Sequence, residues 1–152
     1  MKKVYLCGPI SGLTYDQATV ERERVVDLFR EHGVEALSPM RGKISYVEKR
    51  SDALKSRGYQ DVARSDKAIV SRDRFDVMSS DLIFADLRGA SKVSIGSMVE
   101  YGWADAYRKP VVTIMEEDNV HQHAFVLQLS TYVTDDFEEA FALALSLLNV
   151  RR

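Results

Sequence analysis

The sequence predicts an α/β fold in which a parallel β-sheet carries helices on both faces. Three observations predict it. Short runs rich in branched residues recur along the chain: VYLC at 4–7, VEAL at 34–37, LIFA at 82–85, VVTIM at 111–115 and a weaker TYV near 132. Helix-like segments lie between them, and strands that alternate with helices build parallel sheets. The chain has 152 residues, 45% of them apolar, with 8 glycines and 3 prolines, which suits one ordinary compact core.

The first helix is expected to begin at Thr14, because TYDQ has the spacing of a capping box, and to end before Gly33, which suits the residue just past a helix. Ala18, Val25, Leu28 and Phe29 form its apolar stripe, and His32 caps its end. From Ser38 to about Asp66 the pattern weakens into a long polar stretch, of the kind that is a functional loop or partly disordered. SRDRFDVMSSD, at 71–81, reads as a short helix running into the LIFA strand. A helix opening at Gly96 or Ser97 follows that strand, and a last one starts near Asp135 or Asp136 with Phe137, Ala140, Phe141, Ala144 and Leu148 on one face. No second domain, repeat or low-complexity tract interrupts this pattern, so residues 1–152 are expected to form a single domain.

Charges of both signs are interspersed and the formal net charge is -2, which favours neither a nucleic acid polymer nor an anionic membrane as partner. Cys7, the one cysteine, lies in an apolar run and cannot form an internal disulfide; a buried thiol in a reducing compartment is expected. The opening MKKVYLCGPISG has too few apolar residues for a signal-peptide core or a membrane span, and a cytoplasmic location follows as an expectation.

Ligands of open parallel sheets bind beyond the carboxyl ends of the strands. Here those ends lead into GPISG, SPMRGK, DLRGASKVSIGS and MEEDNVHQH. GPISG matches neither the dinucleotide fingerprint nor the Gly-Lys-Ser/Thr phosphate loop. Its glycines either let a ligand approach the backbone or simply make a tight turn.

Glu100, in SIGSMVEYGWADA, is set among small and apolar residues. It falls near the start of its helix, on one face with Trp103, Ala104 and Tyr107. Apolar surroundings raise a carboxylate's pKa and a helix N-terminus lowers it, a competition found at catalytic carboxylates. A glutamate that only stabilises the helix dipole is the alternative. Asp73, Asp76 and Asp81 alternate with Arg72 and Arg74 and, taken singly, read as surface residues. His121 and His123 have i, i+2 spacing, which sends their rings to opposite sides and argues against zinc. His123 reads as a polar loop residue or as one presented to a ligand across a subunit interface.

KVYLCGPI, the pair Asp73 and Asp81, IFADL, a G-S-x-x-E-x-G-x-A stretch at 96–104, and KPVVTIM follow one another along the chain. In this order they resemble the nucleoside 2-deoxyribosyltransferases and the related nucleoside 5′-monophosphate N-glycosidases. The resemblance implies a flavodoxin-like three-layer α/β sandwich around a five-stranded parallel sheet. It implies no cofactor and no metal, and a homo-oligomer with shared sites. Glu100 would attack C1′ of a 2′-deoxyribosyl group and hold it as a covalent ester, as in retaining glycosidases. Asp73 would assist the departing base, and Tyr5 would orient the nucleophile. Gly8, Ile10, Ser11, Arg41, Ser94, Gly96, Ser97 and His123 would bind substrate, His123 in the neighbouring subunit's pocket.

The implied partners are a nucleoside or nucleotide and a free nucleobase, and the first expectation is transfer of deoxyribose between bases. The alternative is hydrolysis of a nucleoside 5′-monophosphate. Six residues before the nucleophile the transferases usually carry an aspartate for the sugar 5′-hydroxyl, and the glycosidases tend to have a serine for a 5′-phosphate; this chain has Ser94. The glycosidases' loop arginine is Ser11 here, leaving Arg41 or Arg88 as possible cations. A nucleotide-binding domain without turnover is a third reading, disfavoured by Glu100, Asp73 and Tyr5 occurring together.

Overall fold

A computed structural model describes residues 1–41, 51–55, 57, 58, 62 and 65–150. Its elements run β1 (Lys3–Cys7), α1 (Tyr15–Glu31), β2 (Glu35–Leu37), α2 (Asp66–Ser79), β3 (Leu82–Asp86), α3 (Ile95–Ala106), β4 (Val111–Ile114), α4 (Ala124–Leu129), β5 (Tyr132–Thr134) and α5 (Phe137–Leu147). The strands pair in the order β2-β1-β3-β4-β5, all parallel. This is the predicted five-stranded α/β sandwich, with the strand order of flavodoxin-like folds. The order reverses between β1 and β3, and in such sheets that switch point opens a crevice beyond the carboxyl ends of the strands.

Side chains alternate across each strand and so divide the core in two. Val4, Leu6, Leu82, Phe84, Val112 and Ile114 pack against Val25 and Phe29 of α1 and Phe137, Phe141 and Ala144 of α5. Tyr5, Cys7, Ile83 and Ala85 point the other way, onto Val77 of α2, Tyr101 and Ala104 of α3 and Val126 of α4.

Local chemistry sets the helix ends. Thr14 caps α1 with the full capping box, its side chain accepting the Gln17 N–H while Gln17 answers to the Thr14 N–H. At the other end Gly33, at φ +70°, closes a Schellman motif: Val34 N–H bonds Phe29 O and Gly33 N–H bonds Arg30 O. Asp136 caps α5 through the N–H groups of Glu138 and Glu139.

Two helix starts differ from the sequence expectation. The helix expected over 71–81 spans Asp66–Ser79, because Ser65 accepts the Ala68 N–H and caps it earlier. α3 opens at Ile95 rather than at Gly96 or Ser97, because Ser94 is its cap. Much of the polar stretch from Ser38 to Asp66, including 42–50, lies outside the described residues. Within its described part, Ala53 forms an antiparallel bridge with Thr14, and Leu54 exchanges backbone hydrogen bonds with Gly12 and Leu13. Leu54 and Met40 are buried there with Tyr15 and Ala18, a small core beside the first loop.

Candidate active site

Glu100 occupies the second turn of α3, one or two residues deeper than expected because the helix opens at Ile95. The buried face of that helix is Ser97, Glu100, Tyr101 and Ala104; Tyr107, expected on it, is exposed. Across the layer, Tyr5 projects from the middle of β1 and its Oη donates to Glu100 Oε1 at 2.7 Å. Both side chains are buried. Burial dominates the carboxyl group's proton affinity and pushes its pKa up to about 7. Hydrogen bonds from Cys7 and Tyr5 pull it down, the nearby Asp73 charge pushes it up, and Arg22 pulls it down. Tyr5 is driven well above an ordinary phenol, by burial first and by Glu100 next.

Asp73 stands on α2, facing this pair closely enough to act electrostatically on both. Its Oδ1 accepts from Arg72 at 3.0 Å, and Arg72 also donates to Pro39 O at 2.9 Å. Asp81, the other member of the pair singled out in the sequence, sits at the opposite, amino end of the central strands, just before β3. It accepts the Lys3 N–H at 2.8 Å and pairs with Lys2. Some burial opposes its charge, but these donors hold its pKa low.

The GPISG turn follows β1 directly. A Cβ on Gly8 would lie 2.5 Å from the Asp86 carbonyl oxygen, so the turn packs on the end of β3 only with glycine there. Ile10 joins the small core of Tyr15 and Met40 rather than the carboxylate. Ser11 is exposed and lines a cleft of about 550 Å³ on the α1 side of the sheet, with Arg22, Asp86, Arg88 and Lys92. That volume would admit a small ligand. Glu100, Asp73 and Ser94 do not line the cleft, but Cys7 lines it and also hydrogen-bonds Glu100.

Ser94 caps α3. Its Oγ receives the Ser97 N–H at 3.3 Å and the Ser97 hydroxyl at 2.9 Å, while its own N–H donates to His121 Nε2 at 2.9 Å. Gly96 is exposed, with open space around it. The two candidate cations are both paired. Arg41 holds buried Asp76 with two hydrogen bonds of 2.8 and 2.6 Å, and Arg88 forks onto Asp86 at 2.9 and 2.6 Å. His123 is exposed at the cap of α4 and stacked on Phe125; it does not join Glu100 within the chain.

Three residues escaped sequence reasoning. Arg22 is half-buried under the first turn, donating to Ala18 O at 2.6 Å and Pro9 O at 3.1 Å. Burial lowers its pKa, and Cys7, Tyr5, Glu100 and Asp86 raise it. The signal existed: Arg22 falls in the helical stripe of Ala18, Val25 and Phe29. Cys7 was read only as a small hydrophobe. His121 is 1% exposed, and the i, i+2 spacing does send one ring inward and the other out.

A family model described as nucleoside 2-deoxyribosyltransferase matches residues 4–143. No curated protein gives a significant match. Among solved structures the fold is similar to the 2-deoxyribosyltransferase of Bacillus psychrosaccharolyticus, with TM-score 0.70, 14% identity, and 98% of this chain and 97% of that chain covered. It is similar also to a 2-deoxyribosyltransferase of Leishmania mexicana, with TM-score 0.62, 20% identity and coverages of 96% and 98%. A CMP N-glycosidase of Clostridium botulinum follows at TM-score 0.55 and 19% identity, with 96% and 99% covered. At such identities these likenesses carry the fold, and the model match carries the lineage: the chain belongs to the nucleoside 2-deoxyribosyltransferase family.

Proposed function

We propose that this protein cleaves the N-glycosidic bond of 2′-deoxynucleosides by double displacement at Glu100 and transfers the deoxyribosyl group to a second nucleobase. One observation carries the reading: a buried carboxylate with a pKa near 7, held at 2.7 Å by the hydroxyl of a tyrosine on β1, one of the two strands at the switch point of the sheet. Ionised, Glu100 attacks C1′. The C1′–N bond breaks as the C1′–O bond forms, and the electron pair leaves with the base, which takes up a proton from water by way of Asp73. A second base then attacks C1′, gives up its own N–H proton by the same route, and releases Glu100. Tyr5 fixes which carboxylate oxygen faces the sugar. Asp73, with Oδ1 engaged by Arg72, offers Oδ2 to the departing base.

Ser94 favours a second reading, hydrolysis of a 5′-monophosphate. Both acceptor positions of its hydroxyl are filled by Ser97, so it can meet a ligand at C5′ only as a donor. A phosphate accepts and does not need to donate. A 5′-hydroxyl would prefer a partner that also accepts.

Incubating a 2′-deoxynucleoside or its monophosphate with a second free base separates the two: exchanged nucleoside supports transfer, and free base with sugar phosphate supports hydrolysis. A 2′-fluoro-arabinosyl nucleoside should leave a mass adduct on the wild type and none on Glu100→Ala. Absence of both adduct and turnover would sink the proposal and leave a binding domain.

The surface supports assembly with further copies of the chain. Phe75 on α2, Ile95 and Val99 on α3, and Phe125 on α4 are exposed on the same side of the sheet as Glu100, Ile95 at 79% and Phe125 at 72%. Four apolar groups on one face suit an interface better than water. His123, stacked on Phe125, would then lie where a neighbouring copy can meet it.

A further inference from the structure

We infer that His121 is a positioning residue for the C5′ end of the substrate: as a neutral imidazole protonated at Nδ1, it fixes Ser94 so that the Ser94 hydroxyl proton is what the ligand meets. The inference rests on the proposed role of Ser94.

The ring's protonation follows from a chain of partners. Asn119 Nδ2 donates to Leu87 O at 2.8 Å and to Glu116 Oε2 at 2.6 Å. Both partners only accept, so the amide has one orientation and its Oδ1 must face His121. That oxygen receives the His121 backbone N–H at 3.0 Å and lies 2.9 Å from Nδ1. An amide oxygen has no proton to give, so Nδ1 carries one. Nε2 is then the acceptor, and it takes the Ser94 N–H at 2.9 Å.

Glu116 completes the arrangement, its Oε1 accepting the Gly89 N–H at 2.8 Å. The loop after β4 thus grips the loop after β3 at Leu87, Gly89 and Ser94. Asn119 and His121 are both buried, so their bonds to each other and to Leu87 O are shielded from water, while Ser94, which they hold in place, is half-buried and open to a ligand. With its N–H spent on His121 and both Oγ acceptor positions filled by Ser97, Ser94 offers a ligand one donor and nothing else. The ligand group this selects at C5′ is an acceptor oxygen, whether of a phosphate or of a hydroxyl. Loss of the imidazole would free the Ser94 backbone and let the hydroxyl wander. The chemistry at C1′ would continue.

The test compares a 2′-deoxynucleoside, or its monophosphate, with the 2′,5′-dideoxynucleoside, which has no oxygen at C5′. His121→Ala should raise KM for the oxygen-bearing substrate roughly tenfold with kcat within about twofold, and leave KM for the dideoxy compound unchanged. His121→Gln, whose amide oxygen can reach the position of Nε2, should stay near wild type. Ser94→Ala with His121→Ala should be no worse than Ser94→Ala alone. If His121→Ala does not fold, His121→Gln and nitrogen-15 NMR of the wild-type imidazoles still decide, the latter by reporting the proton on Nδ1. A proton on Nε2, equal losses on the two substrates, or no recovery with glutamine would overturn the inference alone. A wild type that turns over none of these compounds overturns the proposed function, and the positioning role with it.

Discussion

Glu100 couples activity and stability to pH in opposite senses. In the proposed role of nucleophile it works ionised, so kcat/KM for the free enzyme should climb with pH and level off above about 7. Stability runs the other way. The folded pKa lies above the ordinary value of 4.5, so between about 4.5 and about 7 the folded state holds a proton that the unfolded chain has released. Stability is full below that window and falls as pH rises through it. Glu100→Gln should therefore match wild type near pH 4.5 and exceed it by roughly 2 to 4 kcal/mol at pH 8, read by thermal melting at both values. Tyr5→Phe removes a donor that favours the charged carboxylate, so the activity limb should move to higher pH while kcat falls roughly 10- to 100-fold. The sequence exposed Glu100 as a carboxylate in an apolar setting, but Tyr5 looked like any strand residue. No local pattern records a contact across 95 positions, and none marked Cys7 or His121 as polar partners.

Some helix ends were legible in the sequence and others were not. Thr14, Asp136 and Gly33 act within three residues of themselves, and each lies where local spacing put it. Thr14→Ala should cost about 1 kcal/mol, measured by denaturant unfolding. The start of α3 was misjudged although its cap, Ser94, acts three residues on at Ser97; what local spacing did not record is the grip of His121 on Ser94 from 27 positions away. The same holds for the loop after β2, which is strapped to α2 by Arg41 on Asp76 and by Arg72 on Pro39 O. Asp76 is buried while Arg41 is partly exposed, so solvent screens the pair from one side. Asp76→Asn should cost about 1 to 3 kcal/mol in unfolding experiments and loosen the wall beside Asp73.

At the scale of the whole molecule, the alternation of apolar runs and helices was enough to foresee the sheet, and the switch between β1 and β3 decided where its crevice lies. Beyond the chain, exposed Phe75, Ile95, Val99 and Phe125 predict an assembly. Sedimentation should find more than one copy per particle, and Phe125→Glu should drive it toward the monomer. Which pairs form was not readable in one sequence, since an interface is a property of two surfaces. Glu100, buried and costly when charged, also bears on how this protein would behave under artificial selection. Variants chosen at alkaline pH only for surviving heat would gain by discarding that carboxylate, so a library screened for ruggedness would fill with well-folded, silent proteins unless turnover were demanded in the same round.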